Sequence, residues 1–138
     1  MSVALSPEYR PSDDEPFMNE RQREYFRRRL INWKEEILRE SRETLHNLAQ
    51  ESLTQADLAD RASTEAERAN ELRARDRQRK LIAKIDSALR RIEEGTYGFC
   101  EDSGDPITLR RLEARPIATL SIEAQERHEK RERIYRDN

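Results

Sequence analysis

Two stretches of this chain repeat apolar residues at alternating spacings of three and four, which places those residues on one face of an α-helix. The residues are Phe26, Leu30, Trp33 and Ile37 in the first stretch, and Ile82, Ile85, Leu89 and Ile92 in the second. The pattern predicts helices over about residues 19–52 and 61–94. Two helices of similar length joined by a short turn form an antiparallel hairpin. At 1.5 Å per residue each helix is about 50 Å long.

Composition supports long helices over a compact globule. Charged residues make up 41% of the chain and hydrophobic residues 34%, a balance typical of coiled coils. Disorder is the alternative for so polar a chain, but the formal net charge is only −2 and both signs are interspersed at helical spacing. The near-neutral balance also argues against direct DNA binding, which requires a basic surface.

Other features indicate the compartment. The chain has one cysteine, so an internal disulfide framework is excluded. No apolar run approaches the roughly 18 residues of a membrane helix, and the first residues lack the pattern of a signal peptide. We therefore expect a cytoplasmic protein that does not enter a membrane.

Residues at the helix ends suggest where the segments divide. Asn19 can cap the first helix, with Gln22 three positions later as in a capping box, and Gly95 suits the position after the second. Residues 1–18 contain three prolines and Asp13, Asp14 and Glu15, which indicates an extended acidic arm or a solvated tail. We predict an arm over 1–18 and a coiled-coil hairpin over 19–95.

The reversal of the hairpin falls at residues 54–62, which contain Asp57, Asp60 and Ala62 but neither glycine nor proline. An ordered turn is therefore expected. Asp60 can cap the second helix and Asp57 a short first turn. Capping and a functional role for these carboxylates both remain open, because a cap can still present its face to a partner.

After the hairpin the character of the chain changes. Glycines, aromatics and a Gly-Asp-Pro turn in residues 96–120 indicate a small knuckle of loops and short strands. Within it, residues 109–115 form a short helix that Pro116 ends. Ser121 then caps a C-terminal helix over 121–138. The predicted fold is mainly α: a long antiparallel two-helix coiled coil with a globular knuckle and a C-terminal helix.

The knuckle resembles the signature of the DksA/TraR family. Residues 95–107 read Gly-Thr-Tyr-Gly-Phe-Cys-Glu-Asp-Ser-Gly-Asp-Pro-Ile, and residues 110–116 read Arg-Arg-Leu-Glu-Ala-Arg-Pro. The resemblance extends to Met18-Asn19-Glu20, to Asp57-x-x-Asp60-x-Ala62 and to residues 73–84, and it covers about residues 16–125 in order. It implies the hairpin and knuckle already predicted, with the knuckle built in the family on a four-cysteine zinc finger.

This chain departs from the family at the zinc ligands, whose positions are occupied by Cys100, Ser103, Ser121 and Ala124. A structural zinc ion needs four thiolate or imidazole ligands, which these residues cannot supply. Asp102, Asp105 and His128 fit no zinc spacing. We therefore predict no bound zinc and a metal-free relic of the finger. Its packing is expected from apolar side chains: Phe99, Ile107, Leu109, Leu112, Ile117 and Leu120.

Cys100 has two interpretations, a reactive thiol or an inert cysteine packed in the knuckle. Reactivity requires a lowered pKa, from a basic neighbour or a helix N-terminus. Glu101 and Asp102 act in the opposite direction, so the sequence favours the inert cysteine.

The resemblance implies a function. Members of the family bind bacterial RNA polymerase through its secondary channel and, with ppGpp, alter open-complex stability at ribosomal RNA and other promoters in the stringent response. Tip carboxylates at Asp57 and Asp60 would act beside the polymerase Mg²⁺. Family contacts to polymerase or ppGpp fall on a further set of positions: Arg77, Lys80, Leu81, Lys84, Arg115 and Gln125.

Gln125 stands where the family has a lysine, which predicts weaker ppGpp binding. A solvated basic face would explain the other positions without the resemblance. We expect a monomer with no enzymatic activity, because the sequence offers no set of nucleophile, base and orienting group, and His46 and His128 are isolated on polar helices. The alternative is a Gre-like transcript-cleavage factor whose tip carboxylates hold a second Mg²⁺. A plain structural coiled coil is a third reading, and it leaves the knuckle signature unexplained.

Overall fold

The computed structural model describes residues 3–54 and 58–136, with side chains for all of these except residues 48, 51–54 and 58–64. It contains four helices in the described ranges: α1 Glu20–Thr54, α2 Leu58–Glu94, α3 Leu109–Ala114 and α4 Ile122–Arg136. The predicted mainly α fold is confirmed. None of the helices in the described part of the chain combines the length and apolar character that a bilayer crossing requires.

The strands predicted in the knuckle reduce to one antiparallel bridge between Phe99 and Pro106 among the described residues. Proline has no backbone N–H to donate, so it cannot extend a ladder of hydrogen bonds. The knuckle is therefore held by turns and side chains rather than by a sheet.

Three helix ends form as the sequence predicts. Asn19 accepts a hydrogen bond from the Gln22 backbone N–H at 2.9 Å, and the Gln22 side chain accepts one from the Met18 N–H at 2.8 Å. Gly95 ends α2 with a φ of +81°, which glycine adopts without steric cost. Ser121 caps α4 by accepting from the Ala124 N–H at 3.2 Å.

The start of α2 differs from the prediction. The helix begins at Leu58, so Asp60 lies within its first turn and is not its N-cap. An acidic residue in the first turn is favoured by the positive end of the helix dipole, which explains why the pattern was compatible with both positions. Asp57 lies outside the described residues.

The chain divides into two compact units. The first, here called the terminal unit, comprises residues 1–30 and 87–138, and the second, the central unit, comprises residues 31–86. These units cut across the predicted segments, because each long helix contributes to both.

The core of the terminal unit forms where the two long helices meet the knuckle. Phe26 and Leu30 of α1 are fully buried, as is Ala88 of α2, and the rings of Phe26 and Tyr97 lie 5.6 Å apart. Ala88 is buried, whereas its neighbour Leu89, which the periodicity placed on the apolar face, is only half-buried. Truncating a buried residue such as Leu30 to alanine costs about 2–5 kcal/mol.

In the central unit, α1 and α2 run antiparallel. Lys34 binds Asp86 at 2.7 Å. Ser41, about two turns further along α1, donates to Gln78 at 2.7 Å, and Gln78 precedes Asp86 along α2. Ile37 and Ile85 are buried in this unit. Leu45 and Leu72, further along the two helices, are exposed, and so is Leu38 beside Ile37.

The N-terminal arm folds back on the terminal unit. The Tyr9 hydroxyl donates to both Glu15 carboxylate oxygens at 3.0 Å, and the Arg21 guanidinium lies 4.4 Å from the Tyr9 ring centroid. Buried Gln22 donates to the Ser12 carbonyl at 3.1 Å. The Phe17 ring packs edge-on against the knuckle. Residues 9–18 therefore pack on the protein instead of forming a solvated tail.

Candidate functional site

The family zinc-ligand positions come together in the knuckle. Cys100 is only 3% exposed, and hydrogen bonds from the hydroxyls and backbone amides of Ser103 and Ser121 lower the pKa of its thiol. Ala124 is fully buried and donates its N–H to the Ser121 hydroxyl. A hydrogen-bonded cluster thus occupies the place where the family holds a metal.

The donor chemistry of this cluster does not fit zinc. One sulfur, two hydroxyls and a methyl group provide a single ligand of the type that tetrahedral structural zinc requires. Among residues 3–54 and 58–136, no group of three or more His, Cys, Asp or Glu side chains converges as a metal site. No role for a metal follows from this geometry.

The environment of Cys100 corrects one expectation. Burial raises the pKa of the thiol, but hydrogen bonds from the hydroxyls and backbone amides of Ser103 and Ser121 lower that pKa from 9.0 to about 6. Glu101 and Asp102 were expected to raise the pKa, yet Glu101 is exposed and Asp102 is paired with His128 at 2.6 Å. The prediction that Cys100 packs in the knuckle is correct, whereas the expectation that the pKa of its thiol is not lowered is wrong.

The same pair changes the interpretation of His128. Asp102 lies in the turn after Cys100, and His128 lies on α4. The pair joins two segments that are 26 residues apart, so His128 is not isolated. His46, in the central unit, lies 3.1 Å from the Gln50 side chain on the same exposed helix face.

Most of the predicted knuckle packing forms. The buried members of the predicted set are Ile107, Leu109, Leu112 and Ile117. Leu120 is half-buried, and Phe99 is 38% exposed, with its ring packed edge-on against Phe17 at 5.4 Å. Sequence reasoning missed Tyr97, which is 1% exposed and donates its hydroxyl to the Pro116 carbonyl at 2.7 Å. Of the two aromatic residues, Tyr97 is therefore the buried one.

Four predicted contact residues share one face of α2 in the central unit. They follow the helical spacing of three, four and seven positions: Arg77, Lys80, Leu81 and Lys84. The three charged side chains are exposed and Leu81 is half-buried. Asp76 binds Lys80 at 3.2 Å and Arg79 at 3.5 Å, so part of the positive charge on this face is locally neutralised.

The other two predicted contacts lie in the terminal unit. Arg115 is exposed at the C-cap of α3, where its N–H donates to the Arg111 carbonyl at 2.8 Å. Gln125 is half-buried on α4 and donates to Glu129 at 3.2 Å. The amide is therefore already engaged within its own helix.

The predicted tip residues are described only in part. Asp60 and Ala62 belong to the backbone of α2, while their side chains and the whole of Asp57 lie outside the described residues. Their functional role remains a prediction.

The chain is similar to known proteins over nearly its whole length. Residues 22–92 match the family model of the DnaK suppressor protein DksA, N-terminal domain, and residues 95–130 match that of the prokaryotic dksA/traR C4-type zinc finger. The RNA polymerase-binding transcription factor DksA of Caulobacter vibrioides NA1000 is 69% identical over 131 residues, covering 95% of this chain and 92% of the relative. The factor of the same name from Escherichia coli K12 is 40% identical over 133 residues, covering 96% and 88%.

A solved structure agrees with this relationship. Transcription factor DksA2 from Pseudomonas aeruginosa is 43% identical and superimposes with a TM-score of 0.80, over 87% of this chain and 95% of that chain. The match to the zinc-finger model persists although three of its four ligand positions here lack cysteine. The hairpin, the knuckle and these similarities over nearly the full length show that this chain belongs to the DksA/TraR family.

Proposed function

We propose that this chain is a non-enzymatic transcription regulator that binds bacterial RNA polymerase through its secondary channel. With ppGpp it modulates open-complex stability at ribosomal RNA and other promoters, as part of the stringent response in the cytoplasm. The observation that carries the proposal is the 69% identity, over 95% of the chain, to a factor named for RNA polymerase binding. It acts as a monomer without binding DNA directly.

The helices suit insertion into a channel. Helices of 35 and 37 residues rise about 50–55 Å along their axes, which is long enough to reach a buried centre. Asp57 and Asp60 at the reversal bring negative charge to the polymerase Mg²⁺ and its surrounding basic groups. The chemistry of the metal belongs to the polymerase, and this chain supplies only a perturbing charge.

The basic positions have separate roles in this proposal. Arg77, Lys80 and Leu81 contact the polymerase rim, and Lys84 and Arg115 bind phosphates of ppGpp through charge-assisted hydrogen bonds. Exposure of the charged members supports this assignment. Gln125 adds no positive charge and is engaged by Glu129, which favours weaker ppGpp binding than a lysine would give.

The test is purified transcription from a ribosomal RNA promoter, with and without ppGpp, alongside a polymerase-binding measurement. Asp57→Asn is expected to bind polymerase normally and to lose the effect on open-complex lifetime. Asp13→Asn is the matched control, because it removes one exposed carboxylate from the arm. Equal loss of binding and regulation in Asp57→Asn would reduce the tip to a docking surface.

The same variants separate regulation from the alternative of transcript cleavage. Backtracked complexes are incubated with the wild type, and the length of the nascent RNA is followed. Shortening of the RNA that depends on Asp57 would support a Gre-like factor. Faster decay of promoter complexes without shortening supports the regulator.

A further inference from the structure

Two side chains of α1 bind the last turn of α3. Arg29 Nη1 donates to the Glu113 backbone carbonyl at 2.8 Å and to Glu113 Oε2 at 2.7 Å. The Tyr25 hydroxyl donates to the same Oε2 at 3.0 Å. We call Tyr25, Arg29 and Glu113 the α3 clamp. All three residues belong to the terminal unit.

The clamp satisfies a group that the helix itself leaves open. The last four carbonyls of a helix have no partner within it, and Glu113 contributes one of them because α3 ends at Ala114. A guanidinium at this end also complements the negative pole of the helix. The additional bond to the carboxylate is charge-assisted, and such bonds are about twice as strong as neutral ones.

The clamp lies two residues before Arg115, and a second anchor lies one residue after it. The Pro116 carbonyl accepts from buried Tyr97 at 2.7 Å. The Arg115 backbone is also bonded on both sides, donating to Arg111 and accepting from the Ala118 N–H at 3.0 Å. An exposed guanidinium is thus carried by a backbone that is fixed before and after it.

We propose that Tyr25 and Arg29 are positioning residues, which act through Glu113 to hold Arg115 where it meets a phosphate of the ppGpp nucleotide. This inference rests on the proposed function. Neither α1 residue touches the nucleotide. A charged group held in place on a rigid backbone loses less conformational entropy on binding, so pre-organisation raises its contribution to affinity.

The decisive variant is Arg29→Met, which keeps much of the apolar stem and removes the donors. Two measurements are made on the full chain: backbone amide exchange at Arg115 and Ala118, and the ppGpp concentration that gives half the maximal effect on open-complex lifetime. We expect exchange about tenfold faster at both amides, because the local structure opens more readily. The half-maximal ppGpp concentration rises about tenfold, and polymerase binding without ppGpp is unchanged.

Two further variants grade the effect. Arg29→Lys keeps a positively charged donor but replaces the planar guanidinium with a compact ammonium group, so it retains part of the ppGpp response that Arg29→Met loses. Tyr25→Phe removes one hydroxyl with little change in packing, and it tests the inference even if Arg29→Met fails to fold. Arg90→Met is the control, since Arg90 is exposed on α2 in the same unit. It leaves exchange and ppGpp response as in the wild type.

Several results would overturn the inference. One is faster exchange at Arg115 with an unchanged ppGpp response, which would make the clamp purely structural. Another is a lost ppGpp response with unchanged exchange, which would mean that Arg29 acts by a different route. If the wild-type chain bound polymerase but did not respond to ppGpp, the proposed role of the clamp would be refuted, whereas the proposed polymerase binding would stand. Absence of polymerase binding would overturn the proposed function and the inference together.

Discussion

Tyr97→Phe tests whether packing and one buried hydrogen bond hold the knuckle in place of a metal. The substitution removes only the hydroxyl that donates to the Pro116 carbonyl at 2.7 Å. Tyr97 is 1% exposed and Pro116 is buried, so water cannot replace the donor without rearrangement. Burial raises the pKa of Tyr97, which keeps the phenol protonated and able to donate at neutral pH.

The magnitude follows from the burial of the acceptor. Leaving a buried carbonyl without its donor costs about 1–3 kcal/mol. The ring remains in place, so packing against Phe26 at 5.6 Å is retained. Tyr97→Ala would lose this packing as well and cost roughly 3–5 kcal/mol more, by analogy with other buried aromatics. Tyr135→Phe is the control, because Tyr135 is 79% exposed and its hydroxyl lies at the surface.

The assay is urea unfolding followed by near-ultraviolet circular dichroism, with and without a strong chelator. We expect a lower midpoint for Tyr97→Phe, a midpoint for Tyr135→Phe equal to that of the wild type, and no effect of the chelator on any of them. Equal midpoints for Tyr97→Phe and the wild type would refute the role of the hydrogen bond. A chelator-sensitive wild type would refute the argument that the donor set does not fit a metal.

Three further predictions concern single positions. The Cys100 thiolate should appear in ultraviolet absorbance with a pKa near 6, and Ser103→Ala should raise that pKa. Because the folded pKa lies below the ordinary 9.0, the ionised thiol stabilises the fold above pH 9, and this contribution is lost as pH falls through 6. If the stability of the wild type depended on pH no more than that of Cys100→Ala, the assignment would be contradicted. Gly98→Ala should lower the thermal midpoint by several degrees, since Gly98 has a φ of +89° and a new Cβ would lie 3.1 Å from Met18 Cγ. Gly104→Ala is the comparison, because Gly104 has a φ of +76° but open space around it, so this variant measures the backbone strain without the steric contact. Gln125→Lys should lower the half-maximal ppGpp concentration in the transcription assay, because it adds a positive charge, while Gln125→Glu should raise it; no difference between the two would argue against a phosphate near α4.

Local patterns in the chain predicted the elements well. The spacing of apolar residues at three and four positions predicted both long helices, because a helix needs an apolar face to pack against its neighbours. Asn19, Gly95 and Ser121 marked helix ends correctly, since capping depends on residues within one turn. The start of α2 was misplaced because Asp60 is compatible with the cap and with the first turn.

Predictions that required knowledge of neighbours were less successful. Phe99 and Tyr97 are both aromatic residues of the knuckle, and nothing local decides which one turns inward. Buried Tyr97 meets two groups that are distant in sequence: its hydroxyl donates to the Pro116 carbonyl, 19 residues away, and its ring lies 5.6 Å from that of Phe26. The Cys100 thiol is governed by hydrogen bonds from Ser121 as much as by its acidic neighbours in sequence. The functional roles assigned to Asp57, Lys84 and Arg115 rest on resemblance and remain predictions.

By itself, the sequence determined the helical class, the hairpin order and the family, because each depends on periodicity, caps or contiguous motifs. It also determined that the zinc position lacks ligands, which is a matter of residue identity alone. Only the tertiary structure decided what occupies that position. Folding brings Ser103 and Ser121 to Cys100 and brings Arg29 to Glu113, 84 residues away, so hydrogen bonds over long separations hold the knuckle. Such contacts depend on the packing of distant segments, and no local pattern specifies them.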